Sequence, residues 1–283
     1  MPEGPEIRLA ADKLKRVLED RRVASVRFAK DRFPHLQEAG RRLSGRKILR
    51  VEPRGKAILT HFDNALTIYS HNQLYGQWRV FRGVVPVTHL QTRLALRTDT
   101  HTAVLYSASD IEVLKSADVN AHRYIARLGI ELLDPAISRH NVERQVGQVR
   151  FARRSLGALL LDQSFLAGTG NYLRSEILFE SRLRPDARPA ELSRGQRRAL
   201  AIAALTLTRR SYRTRGITND SARAARLKAQ GWSYGRYRHH VFDREGESCH
   251  ACGSVVRRVD ISGRGLFLCE HCQPATRPAS NRP

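Results

Sequence analysis

Two groups of residues in this chain have the types and spacing that chemistry needs, and they stand at its opposite ends. The chain opens Met1-Pro2-Glu3-Gly4-Pro5-Glu6. Removal of Met1, usual ahead of a small residue, leaves the secondary amine of Pro2 beside a carboxylate. An α-amino group titrates at about 7.7–8.0 against about 10.4 for a lysine side chain, so it is available as the free base near neutral pH. Such an amine attacks an electrophilic carbon, and because it is secondary the adduct is a charged iminium, an electron sink for elimination. Glu3 is placed to donate or accept protons at the same carbon. At the far end, Cys249, Cys252, Cys269 and Cys272 form two C-x-x-C pairs with sixteen residues between them. In a chain with no export signal, that spacing predicts a tetrahedral structural Zn2+ site rather than disulfides.

Bulk properties set the partner. The 283 residues are 41% hydrophobic, which suits a globular chain of about two domains. Lys and Arg number 50 against 27 Asp and Glu, a formal charge of +23. This balance implies a polyanion, and basic residues spread along the whole chain favour nucleic acid over a lipid surface. Neither a signal peptide nor a run of about 18 apolar residues is present, so the expected place is the cytoplasm, with the nucleoid and without a membrane.

The elements that must position these groups are partly readable. Ile7, Ala10, Ala11, Leu14, Val17 and Leu18 form one apolar stripe at helical spacing, which anchors the residues just before it. Between about Arg22 and Tyr106 the period drops to two, with short runs at 23–28, 48–51, 57–62, 66–69 and 103–106. Strands without alternating helices predict an antiparallel sandwich or barrel, closing near Asp134-Pro135. Ser138 and Ser193 read as helix caps, the latter with Gln196 as a capping box. A helix is expected from Ser155 to about Leu166, then a tight glycine turn, Gly168-Thr169-Gly170, then a helix over 172–179. Residues 209–238 are Arg-rich with weak periodicity and read as a ligand-facing loop. Val255-Val256 and Leu266-Phe267-Leu268 suit a metal-clasped β-hairpin.

Taken in order, Met1-Pro2-Glu3-Gly4-Pro5-Glu6, Arg54-Gly55-Lys56, Ser70-His71-Asn72-Gln73-Leu74-Tyr75-Gly76, Gly168-Thr169-Gly170-Asn171-Tyr172-Leu173-Arg174 and the four-cysteine finger resemble the formamidopyrimidine-DNA glycosylase and endonuclease VIII family over residues 1 to 273. The Gly-Pro-Glu opening and Gln73-Leu74-Tyr75 resemble the endonuclease VIII branch. The resemblance implies Pro2 as nucleophile on C1′ of a damaged nucleotide, Glu3 as proton donor, Lys56 as an assistant in base loss and β-elimination, and Arg264 as a phosphate-gripping residue of the second elimination. It implies Gln73, Leu74 and Tyr75 as the wedge that fills the void left by an extruded base, and Arg127 and Asn171 as phosphate contacts. The chain departs from that branch at Gly265, where a proline often follows the arginine.

The expected fold is α+β. An N-terminal antiparallel β-sandwich with flanking helices spans 1–134, and a helix-two-turn-helix DNA-binding domain spans 135–240. A four-cysteine zinc-finger β-hairpin follows at 241–273, then a disordered tail at 274–283. The expected activity is that of a monomeric bifunctional DNA glycosylase and AP lyase of base excision repair. It takes damaged double-stranded DNA, with oxidised pyrimidines as the base class implied by the resemblance, and cleaves the strand by β,δ-elimination. The rival readings are a formamidopyrimidine-type preference for oxidised purines and a non-catalytic zinc-ribbon DNA-binding protein.

Overall fold

The computed structural model describes residues 2–83 and 85–274, so the expected tail lies outside the described residues save for Pro274. The chain divides into two compact units at Arg127/Leu128, short of the break expected near Asp134-Pro135.

The first unit begins with helix α1, Gly4–Leu18, whose stripe is buried at Ile7, Ala11, Leu14 and Leu18. Two antiparallel four-stranded sheets follow. One has the order β2-β3-β4-β8 and the other β1-β6-β7-β5. The strands are β1 Ser25–Phe28, β2 Ile48–Arg54, β3 Ala57–Phe62, β4 Leu66–His71, β5 Gln77–Arg82, β6 Thr92–Arg97, β7 His101–Tyr106 and β8 Asp110–Lys115, with helix α2, Gln37–Leu43, between β1 and β2. Val51, Ile58, Phe62 and Ile68 of the first sheet share one core with Val26, Leu94, Leu96 and Leu105 of the second and with the α1 stripe. The expected sandwich is therefore present.

The second unit is largely helical. Its elements are β9 Ile130–Glu131, α3 Arg139–Val146, α4 Leu156–Leu159, β10 Leu166–Ala167, α5 Asn171–Glu180, α6 Arg194–Arg213, α7 Ser221–Ala229, α8 Tyr234–Tyr237, β11 Arg257–Ile261 and β12 Arg264–Leu268. Ser138 and Ser193 cap α3 and α6 as expected, Ser193 in its box with Gln196, and Ser138 forms a second box with Asn141. Two expectations fail here. The helix from Ser155 stops at Leu159, because the Asp162 carboxylate takes the Ser164 N–H (2.8 Å) and hydroxyl (2.7 Å) and turns the chain into β10, which pairs with β9. Residues 209–238 are not a loop either. Helix α6 runs on to Arg213, and Asp220 accepts the Arg223 N–H (2.8 Å) to start α7. The α7 periodicity is faint because it buries only Ala224 and Leu227. Leu266 and Leu268 of β12 pack into the same core as α3, α5 and α6, so the hairpin is continuous with the helices.

A buried carboxylate ties this unit together. Glu176 of α5 is fully buried and accepts the N–H groups of His240 (2.8 Å), Val241 (2.9 Å) and Phe242 (3.0 Å) and the Thr218 hydroxyl (2.5 Å). Burial alone would raise its pKa, but the neighbouring His239 and His240 and these donors reverse that and hold it below the ordinary range. His239, stacked on Tyr172 at 5.2 Å, is pushed down to about 4 by its burial. It therefore stays neutral in the folded state while an unfolded chain takes up a proton near 6.5. Stability from His239 is complete above that value and is lost as the pH falls from about 6.5 toward 4, on the order of 3 kcal/mol in total. Urea midpoints measured from pH 7.5 to 4.5 are expected to fall accordingly, and less steeply in His239→Gln, which cannot protonate. Equal slopes in the two proteins would refute the assignment.

Candidate active site and cysteine cluster

The N-terminal residues are held by α1. Glu3 is its N-cap with extended backbone, its N–H donates to the Glu6 carboxylate (3.0 Å), and its carbonyl accepts the Ile7 N–H (3.0 Å). Gly4 and Pro5 are buried and Glu3 is only 2% exposed. Pro2 thus precedes a fixed turn, and Glu6 serves as the reciprocal cap of that turn.

Lys56 lies in the β2–β3 turn after Gly55, whose φ of +58° is a conformation a glycine adopts without strain. The turn is not solvated as turn lysines usually are. Lys56 is 6% exposed, and its N–H donates to the Tyr124 hydroxyl at 2.8 Å. His71, which pairs with Ala57 across β3–β4, packs edge-on against Tyr124 at 5.2 Å. Arg127, exposed, sets its guanidinium 6.0 Å from the same tyrosine ring.

Gln73, Leu74 and Tyr75 form a turn closed by the Gly76 N–H on the Asn72 carbonyl (2.8 Å). A Cβ at Gly76 would come within 2.3 Å of that carbonyl oxygen, so only glycine closes it. Gln73 is held by its N–H on His71 Nδ1 (3.0 Å) and by its Oε1, which accepts the Ser109 hydroxyl (2.5 Å). Leu74 and Tyr75 project, 51% and 75% exposed. Large apolar side chains this exposed fit a surface that meets a partner.

In the second unit Asn171 opens α5, and its side-chain amide donates to the Gly265 carbonyl (2.8 Å). Arg174, the last residue of the Gly168–Arg174 motif, lies one turn on and is fully buried. Its guanidinium donates to Asn171 Oδ1 (2.6 Å) and to the carbonyls of Gly157 (3.2 Å), Ile261 (3.2 Å), Arg264 (3.1 Å) and Gly265 (3.3 Å). Five acceptors around one planar fork fix the hairpin tip onto α5. The tip itself is a two-residue turn, Ser262 (φ +55°) and Gly263 (φ +70°), the twist that suits a tight hairpin. From it the Arg264 side chain is exposed. At Gly265 a Cβ would meet Arg258 Nε at 2.2 Å, so the glycine makes room for a second guanidinium across the hairpin.

The four cysteine Sγ atoms lie within 4.8 Å of one another, with Cys249–Cys272 at 3.9 Å and Cys252–Cys269 at 3.5 Å. A tetrahedron of Zn–S bonds of about 2.3 Å sets sulfurs about 3.8 Å apart, so the cluster fits that ion. Gln273 secures it from behind, accepting the Cys269 N–H (3.0 Å) and donating to the Leu183 carbonyl (2.8 Å).

Three family models match in chain order. Residues 1–109 match the formamidopyrimidine-DNA glycosylase N-terminal domain, 129–221 its H2TH domain, and 246–275 the zinc finger found in FPG and IleRS. Endonuclease 8 of Klebsiella pneumoniae subsp. pneumoniae and that of Salmonella arizonae are each 43% identical over 274 residues, 96% of this chain and 100% of theirs. The chain belongs to the formamidopyrimidine-DNA glycosylase family. Both of these relatives are endonuclease VIII proteins, and the chain is a DNA glycosylase with AP lyase activity. Among solved structures, the Lactococcus lactis Fpg (MutM) complex with N7-benzyl-Fapy-dG DNA superposes with a TM-score of 0.79 at 18% identity, covering 97% of this chain and 100% of that one. The same protein with oxidised-pyrimidine DNA gives 0.79 at 17% identity, with the same coverage. These likenesses establish that the family's α+β fold is shared. No helix among the described residues is long and apolar enough to cross a membrane.

Proposed function

We propose that this enzyme removes oxidised pyrimidines from duplex DNA through an imine on Pro2 and then cleaves the strand by β,δ-elimination. The carrying observation is the buried Glu3 at the head of α1, directly behind Pro2, in a chain 43% identical to endonuclease 8 over its length. The Pro2 lone pair attacks C1′, the bond from C1′ to the base breaks, and Glu3 delivers a proton so that the sugar opens and the iminium forms. Loss of a C2′ proton expels the 3′ phosphate, and loss of a C4′ proton expels the 5′ phosphate. Lys56 serves the first elimination from its buried turn, and the exposed Arg264 guanidinium holds a phosphate for the second. Gln73, Leu74 and Tyr75 occupy the void left by the extruded base. Arg127 and the start of α5 at Asn171 meet phosphates, with α5 offering the positive end of its dipole.

Damaged DNA is the partner that this chemistry and the +23 charge require. Zn2+ on the four cysteines is structural, bracing the hairpin that carries Arg264. Pyrimidine preference is supported by the endonuclease VIII resemblance at Gln73-Leu74-Tyr75. Excision of thymine glycol is compared with that of 8-oxoguanine opposite cytosine. A kcat/KM ratio favouring the pyrimidine by about tenfold or more, roughly 1.4 kcal/mol at the transition state, is expected. A purine preference would overturn the base class.

A further inference from the structure

We propose that His71 is the positioning residue that sets the void-filling turn. The inference rests on the role given above to Gln73-Leu74-Tyr75.

The turn needs an anchor. Gln73 sits at φ +51°, a left-handed conformation that a residue with a Cβ keeps only when its surroundings hold it there. Leu74 and Tyr75 project from it into solvent. Gln73 has two holds. One is its side-chain oxygen on the Ser109 hydroxyl, and the other is its N–H on His71 Nδ1. If the Gln73 amide turns to an orphaned base, the Ser109 bond is given up. The backbone bond to His71 makes no use of that amide and persists. His71 is therefore the anchor that does not compete with DNA.

The same ring is braced from its other side. It packs edge-on against Tyr124, whose hydroxyl accepts the Lys56 N–H. Tyr124 thus backs the ring where its Nδ1 meets the Gln73 N–H. An accepting Nδ1 requires a neutral imidazole with its proton on Nε2. Burial lowers the His71 pKa and the Lys56 ammonium adds to this, while Asp110, paired with His71 across β4–β8, opposes it. The acceptor is thus intact at neutral pH. In acid, a protonated Nδ1 would set a second donor against the Gln73 N–H.

Three proteins decide the matter: wild type, His71→Ala and His71→Asn, the last keeping an oxygen near the Nδ1 position. Wedge insertion is read without catalysis from 2-aminopurine fluorescence opposite a tetrahydrofuran abasic analogue in duplex DNA. Chemistry is read separately by borohydride trapping on single-stranded abasic DNA, which has no void to fill. For His71→Ala the insertion rate and the duplex kcat/KM are expected to fall about tenfold, in line with one lost hydrogen bond. Single-stranded trapping should stay within about twofold, on the same scale. His71→Asn should recover most of the insertion rate. Unchanged insertion in His71→Ala overturns the inference, as do a parallel loss of single-stranded trapping and an Asn variant no better than Ala. Absence of any wild-type adduct would instead count against the Pro2 imine, and the fluorescence arm would still decide the role of His71.

Discussion

An enzyme that keeps any residue ahead of Pro2 is expected to form no borohydride-stable adduct with abasic DNA, while binding that DNA nearly as well as the processed protein. The reason lies in the nitrogen. Inside a chain the proline nitrogen is a tertiary amide with no proton and no available lone pair, whereas at a free terminus it is a secondary amine. Loss of the covalent route should cost about a thousandfold or more in strand cleavage, the scale on which a nucleophile contributes. An uncleaved N-terminal fusion makes the comparison directly, by trapping and by gel-shift titration side by side. Pro2→Ala is the gentler control. Once its methionine is removed it presents a primary amine that can still condense, so it should trap weakly, whereas Glu3→Gln should bind normally and release base slowly. Trapping by the fusion equal to that of the free terminus would remove Pro2 from the mechanism.

Stripping the metal from the four cysteines, or replacing Cys269 by serine, is the second large perturbation. Structural zinc contributes apparent free energies of about 10–16 kcal/mol in isolated finger peptides, so the hairpin should lose its order without it. The consequence reaches Arg264, because the tip takes its shape from the pairing of β11 and β12 beneath it. Release of one zinc per chain, read with a chromogenic chelator, should accompany a fall in strand cleavage of at least about a hundredfold, the upper range for losing a charge-assisted phosphate contact. Melting of α5 and α6 should be far smaller, since their core is shared with α3. Full cleavage by metal-free protein would show that the hairpin is dispensable.

Legibility in the sequence followed the range of the forces involved. Pro2 and Glu3 could be read as ordered because the α1 stripe behind them is local and strongly periodic. The cysteine cluster could be read because ligand spacing is itself a geometric statement. Strands β5, β6 and β8 were not read. Gln77–Arg82 interleaves Trp78 and Val80 with arginines, and Asp110–Lys115 sets Ile111, Val113 and Leu114 among charges, so each pattern is too short to stand out. Arg174 was beyond reach altogether. An arginine in mid-helix reads as surface, and its acceptors come from residues 157, 171, 261, 264 and 265, which only the fold assembles. The same holds for the packing of the His71 ring on Tyr124, a contact that only the fold makes.

Glu176 changes how the finger should be pictured. Zinc modules are commonly beads joined by slack tethers, free to swing until they meet a ligand. Here the root of the module is moored: three consecutive amides, at His240, Val241 and Phe242, are clamped by one carboxylate in the middle of α5, and Gln273 fastens the far end to Leu183. A moored finger spends no search entropy in bringing its arginine to bear. The two ends of the module that carries that arginine are therefore fastened before any DNA arrives.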